Sequence, residues 1–197
     1  VTLAGWGRAP VVPGRELRSE QLETITRVVP LTRGLGRAYG DAALPAGSDA
    51  RVAGSALADR IISFDSDTGI LRAEAGLSLD HLYRVFLPRG FFTPVTPGTR
   101  FVTLGGMIAN NSAGARSVVH GLTADHVLAL DVTLADGTRA TLRRGAPAPP
   151  ALEGARPLGD AARPPDLVRR VSGYALDALR GADPDWPRLL CGSEGTL

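Results

Sequence analysis

The spacing of apolar positions changes several times along the chain, and each change predicts an element. Residues 17–28 carry Leu17, Leu22, Ile25 and Val28 among charges, which predicts an amphipathic helix. Val28, Val29, Pro30 and Leu31 then form a short apolar run, a buried strand leading into a glycine-rich turn. Residues 61–65 and 71–75 have the composition of two strands joined at Asp67, Thr68 and Gly69. Ser78 stands where a helix cap belongs. Leu79, Leu82, Tyr83 and Phe86 fall on one face behind it, and Pro88 and Gly90 end the helix.

The second half is less regular. Residues 94–114 read as loop with one short apolar run. Residues 127–134 are almost continuously apolar, a strand that turns at Asp136 and Gly137 into residues 138–142. Residues 145–165 hold six of the 15 prolines and little periodicity, which predicts a surface excursion. Residues 167–179 are expected to be helical, with a break at Ser172 and Gly173. Leu189, Leu190 and Cys191 are expected to form a last strand. Strands and helices mix without a regular repeat, so the expected class is α+β rather than a βαβ series.

Composition narrows the function. All 22 basic residues are arginine, set against 20 acidic ones, and no basic block is long enough to track a phosphate backbone. That pattern argues against a nucleic-acid partner, and the lack of lysine excludes a Walker-type phosphate loop. The single cysteine, Cys191, excludes an internal disulfide and fits a reducing compartment. The first residues lack the pattern of a signal peptide, and no apolar run approaches a membrane span. A cytoplasmic chain is expected.

The informative positions are glycines. A turn that cradles a pyrophosphate needs inward-pointing N–H groups and no Cβ in the way. Arg33, Gly34, Leu35, Gly36, Arg37, Ala38, Tyr39 and Gly40 supply that composition directly after a strand. A nicotinamide-binding Rossmann unit would open a helix here. Pro45 and Gly47 leave no room for one, and the glycine spacing is one residue too long. Two further stretches have the same character: residues 97–114, and residues 191–196, Cys-Gly-Ser-Glu-Gly-Thr. Three such loops suggest one long, polyphosphorylated ligand crossing the domain.

In these three motifs the chain resembles the FAD-binding domain of the vanillyl-alcohol-oxidase/PCMH flavoprotein family. RGLGRAYGDAAL is similar to that family's pyrophosphate loop, PGT…TLGGMIANNSAG to its second flavin loop, and GSEGTL to the turn that closes the domain. The first half, through residue 103, is similar to decaprenylphosphoryl-ribose oxidases. The second half, from GGMIANNSAG through SGYALDAL, is similar to D-lactate and D-2-hydroxyglutarate dehydrogenases. Where the ribose oxidases carry a histidine-bearing segment, this chain has Asn111, Ser112, Ala113 and Gly114.

The resemblance implies a PCMH-type domain over residues 1–197, made of two α+β subdomains (about 16–92 and 93–197) with FAD between them and the C-terminal cap absent. It assigns FAD contacts to Arg33 through Gly40, to Pro97, Gly98, Thr103, Leu104, Gly105, Gly106, Asn110, Ser112, Gly114 and Gly121, and to Glu194 and Gly195. Arg37 stands where many members carry the histidine that links FAD, so non-covalent FAD is expected. The implied activity is oxidation of a CH–OH group in a hydroxy acid or sugar alcohol by hydride transfer to flavin N5. The alternatives are a ribose-oxidase-type epimerase component and a flavin-binding module without its own chemistry. An electron acceptor or reductase partner is possible in either enzymatic case. The resemblance places the catalytic base in the cap, so no catalytic residue is assigned here. An isolated 197-residue chain is expected to bind FAD weakly, if at all, and to oxidise neither D-2-hydroxy acids nor sugar alcohols.

The remaining side chains have plainer readings. His81 is expected to be solvated, and His120 and His126 to make local hydrogen bonds. One of Arg33 and Arg37 is expected to meet the pyrophosphate and the other to be a solvated loop arginine. Trp6 is expected to anchor the N-terminal segment, and Glu194 to bond either a backbone N–H or the ribityl chain. No residues have metal-ligand spacing.

Overall fold

In a computed structural model, residues 1–29, 31–46, 50–134, 136–167, 170–171 and 173–196 are described. Pro30, Gly47, Val168, Arg169, Ser172 and Leu197, on which parts of the sequence reading fall, lie outside them. The chain opens with the antiparallel strands β1 (Thr2–Ala4) and β2 (Val11–Pro13). Then come β3 (Arg15–Arg18), the short helix α1 (Leu22–Thr26), β4 (Thr32–Arg33) and β5 (Arg51–Gly54). These three strands form a parallel sheet in the order β3-β5-β4. The central β5 is covered on both sides, with Val52 and Ala53 fully buried.

Two antiparallel hairpins follow, β6 (Ile61–Asp65) with β7 (Ile70–Ala73) and, later, β8 (Ala129–Thr133) with β9 (Arg139–Arg143). Between them lie α2 (Leu79–Phe86), α3 (Leu104–Ala109) and the single turn α4 (Ser117–His120). The last helices are α5 (Arg156–Ala161) and α6 (Trp186–Leu190). The mixture is α+β, as expected.

The well-placed expectations rest on local signals. The Ser78 hydroxyl accepts the His81 N–H at 3.1 Å, and Leu79, Leu82 and Phe86 are buried. The β6–β7 turn is held by Asp65 Oδ1, which accepts the N–H groups of Asp67 and Thr68.

Several expectations are corrected. The helix foreseen over 17–28 is only Leu22–Thr26, because Arg15–Arg18 pairs along β5 and strand pairing overrides a weak helix preference. The strand foreseen at 28–31 lies at Thr32–Arg33 instead. Residues 94–114 contain α3, whose two glycines disguise it. The Thr103 hydroxyl caps it by accepting the Gly106 N–H at 3.0 Å, and Met107 packs with Leu79 and Val95. The prolyl excursion holds α5 and a 3-10 turn over Pro150–Ala155, with Leu152 and Ala155 packed on the C-terminal core. Among the described residues of the stretch 167–179, only Leu176–Leu179 forms a helical turn. Leu189 and Leu190 lie in α6, not in a strand. Asp185 caps that helix by accepting the Arg188 N–H at 3.0 Å, with Pro187 in its first turn.

Trp186 centres the C-terminal core with Leu142, Leu179, Leu189 and Leu190, and its indole N–H donates to the Ala146 carbonyl at 2.9 Å. Trp186→Ala is expected to cost about 3–5 kcal/mol in urea unfolding; a loss within about 1 kcal/mol would remove this residue from its central place.

Candidate functional site

The first glycine loop leaves the end of β4 and returns to β5 with no helix among its described residues. Its backbone is open. Among the described residues, none of the N–H groups from Gly34 to Gly40 has a protein acceptor. Such a run of unpaired donors is what an anion-binding nest offers. Gly36 has φ +67°, a left-handed conformation that favours glycine.

The two arginines divide sharply. Arg33 is buried, and its guanidinium donates to the Ala4 carbonyl at 2.5 Å and the Ala43 carbonyl at 3.0 Å. Burial pulls its pKa below the usual arginine value, against the attraction of Glu16. Arg37 is exposed and has no hydrogen-bond or ion-pair partner among the described residues. Leu35, Tyr39 and Gly40 are also exposed, and Ala38 accepts the Trp6 N–H through its carbonyl at 2.9 Å. Trp6 is itself 56% exposed and meets Tyr39 edge-on at 5.9 Å. It anchors the N-terminal segment through its backbone, not by burying its ring.

The second loop meets the first. A Cβ at Gly34 would lie 2.5 Å from Thr103 Oγ1, and Thr103 is almost fully buried. The start of α3 is spent on the protein. Leu104 donates to the Leu77 carbonyl at 2.8 Å, Gly105 to Ala75 at 2.7 Å, and Gly106 to the Thr103 hydroxyl. Thr103 backs the first loop at Gly34, and these bonds leave no open N–H among Leu104, Gly105 and Gly106. Asn110 is exposed and bonds back to the Gly106 carbonyl. Ser112 uses its carbonyl to accept both the N–H and the hydroxyl of Thr123. Gly114 packs so tightly on the Thr96 carbonyl that a Cβ would collide with it. Pro97 is half-buried, and Gly98 is exposed with open space around it.

The third loop closes on both. Gly192 and Glu194 donate to the Ile108 and Ala109 carbonyls at 3.0 and 2.8 Å, completing the end of α3. The Gly195 carbonyl accepts the Thr32 N–H at 3.0 Å, beside the first loop. Glu194 takes φ +55° and its side chain is exposed. The structure therefore brings the three loops together around α3.

Asn111 was missed among the site residues. It is buried at φ +40°, and its Oδ1 accepts the Ala124 N–H at 3.0 Å, fixing the second loop to the turn at Thr123–His126. The signal was the paired Asn110–Asn111, since asparagine tolerates this conformation. Gly121, at φ +76°, faces Asp125, whose Oδ2 accepts the Leu122 N–H at 2.8 Å. Asp125 Oδ1 accepts from Arg188 of α6 at 2.6 Å, so this carboxylate ties the second loop to the helix that leads into the third. Burial alone would raise the Asp125 pKa, but the Leu122 amide and the Arg188 guanidinium hold it below the usual carboxylate range.

The histidines are exposed. His126 Nε2 bonds the His120 carbonyl at 2.7 Å, His120 Nε2 meets Arg116 at 3.1 Å, and His81 faces Asp59 at 3.9 Å. Among the described residues no three His, Cys, Asp or Glu side chains converge as metal ligands would, and no helix is long and apolar enough to cross a membrane.

The sequence profile of the FAD binding domain matches residues 24–143, which span the first two loops and the hairpins around them. The chain belongs to the FAD binding domain family. FAD is its cofactor, and the PCMH-type resemblance read from the loops holds. The decaprenylphosphoryl-beta-D-ribose oxidase of Mycolicibacterium smegmatis is 37% identical over 145 residues, covering 68% of this chain and 31% of that protein. The D-2-hydroxyglutarate dehydrogenase of Pantoea ananatis is 34% identical over 166 residues, covering 71% and 16%. The chain thus spans about a third or less of these relatives. A solved alkyldihydroxyacetonephosphate synthase shares the fold, with TM-score 0.55 and 19% identity over 65% of this chain and 26% of that one.

The depressed Asp125 pKa has a definite sign. It stabilises the fold above the unfolded carboxylate value of about 3.9, and the gain disappears as pH falls through the folded value. Asp125→Asn should therefore flatten the acid limb of stability below about pH 4, read from urea midpoints across pH. Identical acid limbs in the two proteins would contradict the tie to Arg188.

Proposed function

We propose that this FAD binding domain holds the FAD pyrophosphate on the loop from Gly34 to Gly40, as the cofactor-binding part of an oxidoreductase acting on a CH–OH group. The observation that carries this is the run of N–H groups without protein acceptors, with the exposed Arg37 guanidinium beside it. A pyrophosphate satisfies both at once, and guanidinium geometry suits its oxygens. Thr103 supports the loop from behind at Gly34, and Gly195 steadies its entry strand.

When bound, FAD supplies the two-electron acceptor for oxidation of an oxygen-bearing carbon. The protein's share is to hold and orient the cofactor. The substrate class is a hydroxy acid or a sugar alcohol, supported by relatives named for D-2-hydroxyglutarate and for decaprenylphosphoryl ribose. Substrate-binding groups and the base are assigned to a cap domain, in line with the length of those relatives.

FAD is held without a covalent bond. Arg37 occupies the place of the linking histidine, and Cys191 offers no thiolate, because burial pushes its thiol up to about 12. Acid precipitation of the flavin-loaded protein is expected to release all the yellow colour into the supernatant; flavin remaining on the pellet defeats the assignment.

For the reaction, the protein is produced as its own gene encodes it and loaded with FAD. Bleaching of the flavin band by D-2-hydroxy acids or by sugar alcohols under nitrogen supports the oxidoreductase reading and separates its two substrate classes. A stable flavin complex bleached by neither leaves a binding module. Gly36→Val is expected to abolish FAD binding with little change in far-UV circular dichroism, and stoichiometric flavin in that variant would refute the loop assignment.

A further inference from the structure

We infer that Arg33 is a positioning residue, whose buried guanidinium holds the first glycine loop in its receiving form without touching the cofactor. The inference rests on the FAD reading above and divides the two loop arginines by role. Arg37 faces solvent and is free to meet an anion, whereas the Arg33 side chain is turned into the fold.

Three segments converge on Arg33. Its backbone is fixed at the end of β4, where its carbonyl accepts the Ser55 N–H at 2.9 Å. Its side chain reaches Ala4, at the end of β1, and Ala43, at the far side of the loop. A single planar group thereby sets the distance between the two ends of residues 34–43. Gly36 lies directly against it, since a Cβ at that position would collide with the guanidinium. The missing side chain at Gly36 therefore makes room for the protein's own arginine.

The charge adds to the geometry. Among the described residues no carboxylate lies within ion-pair distance of Arg33, and Glu16, the acid that influences it, is bridged to Arg18 at 3.0 Å. A buried cation paired only with carbonyls is costly, and an anion settling on the loop offsets that cost. The loop is thus shaped and biased towards a phosphate by a residue beneath it.

The test compares wild type, produced as its own gene encodes it, with Arg33→Met, Arg33→Lys and Arg37→Met. Two amides report on the loop: Trp6, bonded to the Ala38 carbonyl, and Leu44, bonded to the Asp41 carbonyl. Leu82 and Met107, inside the helical core, are the references. Arg33→Met is expected to speed hydrogen exchange at Trp6 and Leu44 about tenfold and leave Leu82 and Met107 unchanged. It should weaken FAD and ADP about tenfold or more, the fold-change of a lost charge-assisted hydrogen bond. Arg33→Lys, which keeps the charge and one leg of the bridge, should fall between. Arg37→Met should weaken both ligands with no change in exchange. Unchanged exchange at Trp6 and Leu44 in Arg33→Met overturns the inference, as does an equal rise at all four amides. So does undiminished FAD affinity in that variant. A wild type that binds neither FAD nor ADP refutes the FAD reading instead, and the exchange data still decide whether Arg33 orders the loop.

Discussion

Both ends of α3 are finished by backbone from distant parts of the chain. Its first amides donate to carbonyls at Ala75 and Leu77, and its last carbonyls accept from Gly192 and Glu194. A six-residue helix with two glycines is marginal by itself, so these bonds and the burial of Met107 are what keep it. The loops inherit their positions from it. Thr103 caps the helix and packs against Gly34, and the third loop, which bonds Thr32, is also fixed to Ile108 and Ala109.

That dependence explains what the sequence disclosed and what it hid. The β6–β7 hairpin, α2 and the β8–β9 hairpin were legible because a turn or a cap and its partner lie a few residues apart, as with Ser78 and His81. β3 and β5 were not, since each exists through parallel pairing with a segment far away in the chain. α3 was hidden for the same reason. Its acceptor at Ala75 is invisible to periodicity, and its glycines lower the local helix preference. α6 is a different case. Asp185 and Pro187 are a local start signal, yet the apolar run Leu189-Leu190-Cys191 behind them has the composition of a short strand.

In the site itself, composition showed that three small-residue loops exist, and the structure shows that they do different work. Gly105 and Gly192 have donors already committed to protein carbonyls, whereas the stretch from Gly34 to Gly40 has none committed among the described residues. Glycine content cannot reveal this, because a packing glycine and a binding glycine look the same in sequence. Only the partner of the N–H separates them. The start of α3 and the third loop are committed to the protein, whereas the first loop presents its N–H groups from Gly34 to Gly40 without protein acceptors among the described residues.

The same reasoning joins Arg33 to Gly36. A glycine in a ligand-binding turn is usually explained by the ligand, on the ground that a Cβ would fill its place. At position 36 the space is taken by the Arg33 guanidinium, and the positive φ imposes a second requirement for glycine. The two residues form one feature: a side chain at position 36 would displace the guanidinium from its place, and the loop loses its support if position 33 loses its fork. Arg37 is not bound by that constraint, since its side chain has no partner to give up among the described residues. On the proposed reading, chemical variation in this loop is therefore tolerable at 37, where it would alter what is bound, and intolerable at 33 and 36, where it would alter the loop itself.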